Sequence, residues 1–274
     1  MTTAHSGSGD LQRALDLLWG MKEAPKRGPK PGLTLERVVA TAVDVADDEG
    51  LDAVSMRRVA TELGVGTMSL YRYVPGKTEL LELMLDHVQA FPPDVDADEF
   101  RRRGWRTVME TTGRGVWEMY LAHPWLLQVS QARPLLGPNG VAGLDVALSG
   151  LEGLRLTDRE RMGVVVALDG FVSGSARTYL QGLEAAKRTG ISDEEFWQAQ
   201  GPYLDKAMRS GNFPSLARLS PETFDATGVE LFEFGLQRIL DGFAVLIDAA
   251  AERAGTDVET DTDTGGGDGA GDCR

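Results

Sequence analysis

An all-α protein with two helical domains is predicted by three features of the sequence. Apolar residues recur at helical spacing from residue 34 onward, and no stretch longer than a few residues alternates as a half-buried strand does. A short helix-turn-helix pattern lies near the N-terminus. Longer helices are predicted after it, at 98–122, 124–132, 139–153, 157–187, 192–209 and 227–252.

Residues 1–32 are predicted to be an N-terminal extension with a basic arm. The stretch 10–21 places Leu11, Leu15 and Leu18 at helical spacing, which favours one short amphipathic helix. The following stretch, KEAPKRGPKPG at 22–32, contains three prolines and four basic residues. Because proline lacks a backbone donor and fixes φ, this arm is expected to be extended.

Residues 33–80 are predicted to form a three-helix domain. Thr34 and Ser55 stand where side chains cap the first and second helices. Gly64-Val65-Gly66 predicts a turn, and a third short helix follows over Thr67–Tyr73. Pro75-Gly76 ends that helix, and a linking helix is predicted over 77–91.

The spacing of Ala60, Gly64 and Leu70 is typical of a helix-turn-helix. The first position needs a small residue because the next helix packs over it. The second needs glycine because the tight turn requires a positive φ. The third needs an apolar residue that fixes the next helix on the core. The sequence therefore predicts a recognition helix whose outer face is free.

That outer face carries residues suited to DNA. Thr67 and Met68, near the start of the recognition helix, are the base-reading candidates, and Ser69 points outward beside them. Tyr71, Tyr73 and Lys77 are expected beside phosphates, and Lys77 also opens a helix whose dipole favours an anion. The alternative is that the two tyrosines belong to the core of the domain.

The net charge of −14 is distributed unevenly along the chain. Residues 22–77 contain nine basic and eight acidic residues, whereas residues 78–274 contain eighteen basic and thirty-two acidic residues. At physiological salt, charges are screened over about 8 Å, so negative charge on a distant domain only weakly repels a phosphate bound at the helix-turn-helix. An acidic chain can therefore bind a polyanion. The arm at 22–32 either contacts DNA or is a solvated linker.

Residues 81–254 are predicted to form a ligand-binding and dimerisation domain, followed by a disordered acidic tail at 255–274. Two predicted helices carry apolar faces that could pair with a second copy in a four-helix bundle. The alternative for these residues is ordinary intrachain core. The candidate dimer residues are Leu168, Val172, Phe232, Leu236, Ile239 and Phe243.

An apolar pocket with a few polar points is the second expectation for this domain. Aromatic residues recur along the helix 98–122, and others follow in the next segments. Such residues suit an aromatic or lipophilic small molecule, although they could equally be core. The candidate pocket residues are Trp105, Met109, Trp117, Tyr120, Trp125, Phe171 and Tyr179.

Other classes of function find little support. Cys273 is the single cysteine, and the three histidines share no ligand spacing, so neither a metal site nor a disulfide is expected. No nucleophile elbow, phosphate loop or dinucleotide fingerprint is present, so no catalytic residue and no cofactor is expected. No apolar run approaches the length of a membrane span, and no signal peptide is evident. A cytoplasmic protein without a membrane partner is expected.

The segment TLERVVATAVDVADDEGLDAVSMRRVATELGVGTMSLYRYVPGKTELLELM resembles the DNA-binding domain of the TetR (tetracycline repressor) family of transcriptional regulators. LWGMKEAPKRGPKPG and VELFEFGLQRILDGFAVLI are similar to the subgroup with the tetracycline-repressor type of C-terminal domain. The resemblance implies a homodimer and adds Arg57, at the start of the second helix, to the DNA-facing set. The histidines of the tetracycline–metal site cannot be placed here, so neither tetracycline nor magnesium is inferred.

The sequence as a whole indicates a dimeric repressor that binds a palindromic operator and is released by a small lipophilic or aromatic effector. One alternative is a ligand-independent, sequence-tolerant DNA-binding protein. The other is a helical enzyme, for which no catalytic cluster is visible.

Overall fold

The computed structural model describes residues 4–7, 9–21, 33–91 and 102–262. Its N-terminal part is helical, as the apolar spacing predicts. A linking helix, α5, leads from the helix-turn-helix to the rest of the chain. The helices are α1 (Leu11–Leu18), α2 (Leu35–Glu49), α3 (Met56–Glu62), α4 (Thr67–Leu70) and α5 (Lys77–His87).

The predicted caps of α2 and α3 are confirmed. The Thr34 hydroxyl accepts from the Arg37 backbone N–H at 3.2 Å, and the Ser55 hydroxyl accepts from the Arg58 N–H at 3.1 Å. Each bond satisfies a donor that the first helical turn leaves unpaired. The two caps therefore fix the residues at which α2 and α3 begin.

The second part of the chain packs long helices against one another. Capping boxes, at Thr157 with Glu160 and at Ser192 with Glu195, start the third and fourth of these helices. The core lies between the first, third and fifth. They are α6 (Trp105–Ala122), α7 (Pro138–Ser149), α8 (Asp158–Thr189), α9 (Asp193–Arg209) and α10 (Gly228–Thr262).

Among several differences from the predicted helix bounds, two are the largest. α10 continues to Thr262, past the expected domain boundary at residue 254. The predicted helix 124–132 is instead a short 3-10 helix, Pro124–Gln128, followed by a two-residue strand, β2 (Val129–Ser130). β2 pairs in parallel with β1 (Ala4–His5). Two residues are too short to show an alternating pattern, so neither strand was predictable.

The junction between the two parts is polar at its centre. The Trp125 indole N–H donates to Asp47 of α2 at 2.7 Å, and the ring nitrogen Nδ1 of His123 lies 2.9 Å from the same carboxylate. Trp125 is buried, whereas the Asp47 side chain is 25% exposed. This contact attaches the helix-turn-helix domain to the segment that follows α6.

The linking helix α5 is enclosed along most of its length. Every residue from Leu80 to Asp86 is buried, including Glu82 and Asp86. Asp86 accepts from the backbone N–H groups of Asn139 and Gly140 at 3.1 and 3.0 Å, so it caps the start of α7. α5 spans the boundary predicted at residue 80, and it packs against elements on both sides of that boundary.

No helix among the described ranges is both long enough and apolar enough to traverse a bilayer.

Candidate nucleic-acid interface and effector domain

The turn between α3 and α4 has the predicted geometry. Gly64 has a φ of +65°, which confirms the need for glycine. Ala60 is 1% exposed and Leu70 is fully buried, so α4 lies close over α3 and is fixed to the core. The Val65 N–H donates to the Ala60 carbonyl at 3.0 Å and closes the turn.

The face of α4 that points away from this core is open to solvent. Met68 is 77% exposed and Tyr71 is 44% exposed, whereas Thr67 and Ser69 are half-buried. Arg72 is exposed just beyond the helix. The outward set therefore presents a thioether, hydroxyls and one cation, which suits contact with base edges and phosphates.

Arg57 and Arg58 are adjacent but differ in their surroundings. The Arg58 guanidinium contacts the Glu49 and Glu62 carboxylates, each at 2.6 Å. These hydrogen bonds raise the pKa of Arg58 further above its ordinary value and lower the pKa of Glu49. Arg57 is exposed and forms no ion pair with any described residue. Arg57 is thus the one of the two that is available to a phosphate.

Tyr73 is less exposed to solvent than Tyr71. Its hydroxyl donates to the Leu33 carbonyl at 3.0 Å, and its half-buried ring packs against the core. This bond ties the end of the recognition segment to the start of α2. The proposed phosphate contact of Tyr73 therefore competes with a structural bond, which the sequence could not reveal because Leu33 is forty residues away.

Lys77 is exposed at the first position of α5. Its backbone belongs to a helix start that has no side-chain cap, since Gly76 occupies the N-cap position. The ammonium group and the free helix start both favour an anion there. The arm at 22–32 lies outside the described residues.

Three candidate pocket residues meet in one aromatic cluster between α6, α8 and α10. Trp117 stacks on Phe232 with ring centroids 4.1 Å apart, and Tyr179 is tilted against Trp117 at 5.4 Å. Phe171 also stacks on Phe232, with ring centroids 5.9 Å apart. The Trp117 and Phe232 rings are in contact, so a ligand between them would have to separate them.

The remaining pocket candidates lie around α6. Met109 and Tyr120 are buried, and Trp105 is half-buried against the core. Burial raises the pKa of the Tyr120 hydroxyl to about 12, and the Asp169 carboxylate adds to this. Desolvation by the surrounding helices also raises the pKa of Asp169, although the residue as a whole is exposed to solvent. Trp125 lies at the domain junction, bonded to Asp47, a position that its sequence context did not indicate.

Most of the predicted dimer residues are buried within one chain, which is the alternative stated for them above. Leu168, Val172, Phe232 and Leu236 are at most 3% exposed within a single chain, and Phe243 is 8% exposed. They form intrachain core between α6, α8 and α10, so they cannot form the contact surface for a partner. Ile239 is half-buried and packs on the same core. Helical spacing identified an apolar face but could not say which of two apolar faces turns inward.

A second apolar face on the same helices is exposed. Met162 and Val166 on α8 are 40% and 63% exposed, and Leu231, Phe234 and Val245 on α10 are 58%, 65% and 69% exposed. The residues on α10 recur at spacings that keep them on one side of the helix. An exposed apolar stripe on two adjacent helices is typical of an interaction surface.

The residues that join the two domains were missed by the sequence reasoning. Asp47, Glu82 and Asp86 accept hydrogen bonds from distant segments. In the sequence, Glu82 and Asp86 are two carboxylates four residues apart in an otherwise apolar stretch of α5. Charged residues at this spacing ordinarily lie on a solvated helix face, so the sequence did not indicate that they are buried.

Two family descriptions match the chain. "Bacterial regulatory proteins, tetR family" matches residues 38–84, and "Tetracyclin repressor-like, C-terminal domain" matches residues 100–247. The chain is 51% identical to the HTH-type transcriptional repressor DrrR1 of Streptomyces coeruleorubidus, over 93% of this chain and 92% of that protein.

The chain is also similar to solved structures of a TetR family protein. The Streptomyces coelicolor TetR family protein ActR in complex with (S)-DNPA is 31% identical, with a TM-score of 0.58, over 79% of this chain and 99% of that chain. The same protein in complex with actinorhodin is 30% identical, with a TM-score of 0.57, over 80% of this chain and 99% of that chain.

Proposed function

The chain belongs to the TetR family of transcriptional regulators, and we propose that it is a dimeric repressor released from its operator by a small aromatic or lipophilic effector. The observation that carries this proposal is the exposed face of α4, held outward by the positive φ of Gly64 and the buried Leu70. The similarity to a repressor at 51% identity supports the sign of regulation.

The DNA contacts divide into two kinds. Thr67, Met68 and Ser69 enter the major groove and read base edges through hydroxyl and methyl groups. Arg57, Tyr71 and Lys77 hold phosphates on either side and fix the register. Tyr73 acts chiefly through its bond to Leu33, which positions the recognition segment.

A homodimer gives the protein two recognition helices for a palindromic site, about one DNA turn apart. The exposed apolar faces of α8 and α10 are the surfaces that pair, and they take the place of the buried residues predicted from the sequence. Val166, Phe234 and Val245 are the most exposed residues in that set.

The effector enters beside the aromatic cluster of α6, α8 and α10. Aromatic rings favour a flat apolar molecule, and the Tyr120 hydroxyl and the Asp169 carboxylate supply polar points. Actinorhodin and (S)-DNPA bound to the 30–31% identical ActR support an effector of this class. Because Trp117 and Phe232 are in contact, effector binding separates them and shifts α6 or α10.

Release follows from movement of α5, whose buried residues pack against both domains. A shift of α5 changes the separation of the two recognition helices. The effector can change operator affinity only by the ratio of its affinities for the two conformations.

Selection of duplexes from random-sequence DNA by the full-length protein tests the proposal. A palindromic consensus with two half-sites is expected, and one dimer should bind each site. Actinorhodin, used as a probe, should weaken that binding if this chain shares the effector class. Recovery of DNA without any consensus would favour the sequence-tolerant DNA-binding protein instead. Substrate turnover by the protein would favour an enzyme.

A further inference from the structure

The N-terminal segment crosses from one domain to the other. We define the strap as the described residues 4–7 and 9–21. We call the helical part of the chain from residue 102 onward the effector domain. The first part of the strap, β1, pairs with β2 of this domain in the register Ala4 with Val129 and His5 with Ser130. Its last part, α1, packs on the linking helix α5 and buries Ala14 and Leu18.

The strap supplies both of the hydrogen bonds that Glu82 receives from described residues. The Ser6 hydroxyl donates to one Glu82 carboxylate oxygen at 2.8 Å, and the Gly7 N–H donates to the other at 2.7 Å. Glu82 is 3% exposed. A buried carboxylate without donors is strongly unfavourable, so the buried position of Glu82 depends on the two donors that the strap supplies.

Ser6 also reaches the effector domain. Its backbone N–H donates to the Ser130 carbonyl at 3.1 Å, and its hydroxyl oxygen accepts from the Leu135 N–H at 3.4 Å. One hydroxyl therefore joins the loop after β2 to the carboxylate of α5. Further along, the Trp19 indole N–H donates to the Leu136 carbonyl at 3.0 Å, so the strap contacts this loop at two points.

The fit of the strap is close at its glycines. Gly7 has a φ of +72°, and a Cβ there would lie 3.3 Å from the Leu135 side chain. At Gly9 a Cβ would lie 2.8 Å from the Thr78 methyl group in the first turn of α5. Gly7 thus lies close against the loop after β2, and Gly9 lies close against the start of α5.

We propose that the strap fixes the angle of α5 against the effector domain, with Glu82 as the positioning residue, and thereby sets the spacing of the two recognition helices. α5 carries two buried carboxylates one turn apart. Asp86 is held by the start of α7, and Glu82 is held by the strap. A movement of α5 in response to effector must carry the strap along or break its bonds to Glu82. This inference rests on the proposed function.

Discrimination between half-site spacings tests the proposal. The duplexes are the selected operator and the same operator with one base pair inserted at its centre. The variants are Ser6→Ala and a full chain shortened to begin at Asp10. The control is Gln12→Ala, whose exposed side chain bonds Asp16 on the same helix and no other described residue. The wild type and the control should strongly prefer the selected spacing.

In both strap variants the ratio of the two Kd values should fall by about 5-fold, at the lower end of couplings between distant sites. A merely structural role would lower the folded fraction and change both Kd values by the same factor. An unchanged ratio in both variants would overturn the proposal while leaving the proposed function intact.

Amide hydrogen exchange of the DNA-free protein gives a second test that needs no operator. Shortening the chain should speed exchange both at Leu135 and in α5, because both lose their common partner. Unchanged protection of α5 would overturn the proposal about the strap, whether or not an operator is found. Failure to find an operator would instead contradict the proposed function.

Discussion

The Trp125 indole N–H donates to the Asp47 carboxylate at 2.7 Å, across the junction between the helix-turn-helix domain and the effector domain. His123 approaches the same carboxylate at 2.9 Å. Asp47 lies on α2, whose apolar face forms the core of the DNA-binding domain. A single carboxylate therefore links the domain that reads DNA to the segment that follows α6.

Asp47→Ala should destabilise the protein by about 1–3 kcal/mol, because it leaves the buried Trp125 N–H without an acceptor. Asp48→Ala is the matched control, since it removes the same charge from an exposed neighbour on α2. Urea unfolding of both variants measures the difference. Equal stability of the two variants would mean that the junction bond contributes nothing.

Tyr71→Phe should affect operator binding, whereas Tyr73→Phe should affect stability. Loss of the Tyr73 hydroxyl removes the bond to Leu33 and should lower the free energy of unfolding by about 1 kcal/mol. Loss of the exposed Tyr71 hydroxyl should leave stability unchanged and weaken operator binding by about tenfold, as for a lost bond to a charged group. Denaturation and fluorescence anisotropy distinguish them. The assignment fails if Tyr71→Phe affects only stability.

Arg57→Ala should reduce the slope of log Kd against log salt concentration by about 0.9, the change for one lost phosphate contact. Arg58→Ala serves as its control, because Arg58 is paired with Glu49 and Glu62. That variant should leave the slope unchanged. A slope change in Arg58→Ala but not in Arg57→Ala would reverse the assignment.

Gly64→Ala should destabilise the protein by about 1–2 kcal/mol, since φ is +65° and the penalty is conformational. Among the described residues beyond its chain neighbours, no atom lies within 4 Å of the added Cβ, so the penalty arises from the local backbone alone. Gly115 in α6 has equally open surroundings but helical geometry, and Gly115→Ala should stabilise by about 0.5–1 kcal/mol. Thermal unfolding gives both signs, and a stabilising Gly64→Ala would contradict the turn geometry.

Val166→Glu should raise the Kd of dimerisation by about 100-fold, because it places an unpaired charge in the proposed interface. Leu11→Glu introduces the same charge at an exposed position on α1 and should leave the dimer intact. Analytical ultracentrifugation of both variants gives the dissociation constants. A monomer in both, or a dimer in both, would remove α8 from the interface.

Much of the helix-turn-helix was predictable because its determinants are local. The caps at Thr34 and Ser55, the turn at Gly64 and the burial of Leu70 depend on residues close in sequence. The exposure of Met68 follows from the same short period. Local propensity and periodicity carry this information without knowledge of the tertiary fold.

The remaining features depend on contacts between distant residues. Tyr73 with Leu33, Trp125 with Asp47 and Ser6 with Glu82 join segments that no local pattern relates. The burial of the dimer candidates Leu168, Val172, Phe232 and Leu236 within one chain could not be predicted for a similar reason. α8 and α10 each have two apolar faces, and only packing against α6 determines which one is buried.

The measurement that tests the central claim most directly is binding of the selected operator and of a scrambled duplex of equal length and composition, by wild type and Met68→Ala. The wild type should prefer the operator by about 1000-fold or more at physiological salt. Met68→Ala should lose part of that preference while its affinity for the scrambled duplex stays unchanged. Equal affinity of the wild type for both duplexes would contradict the account.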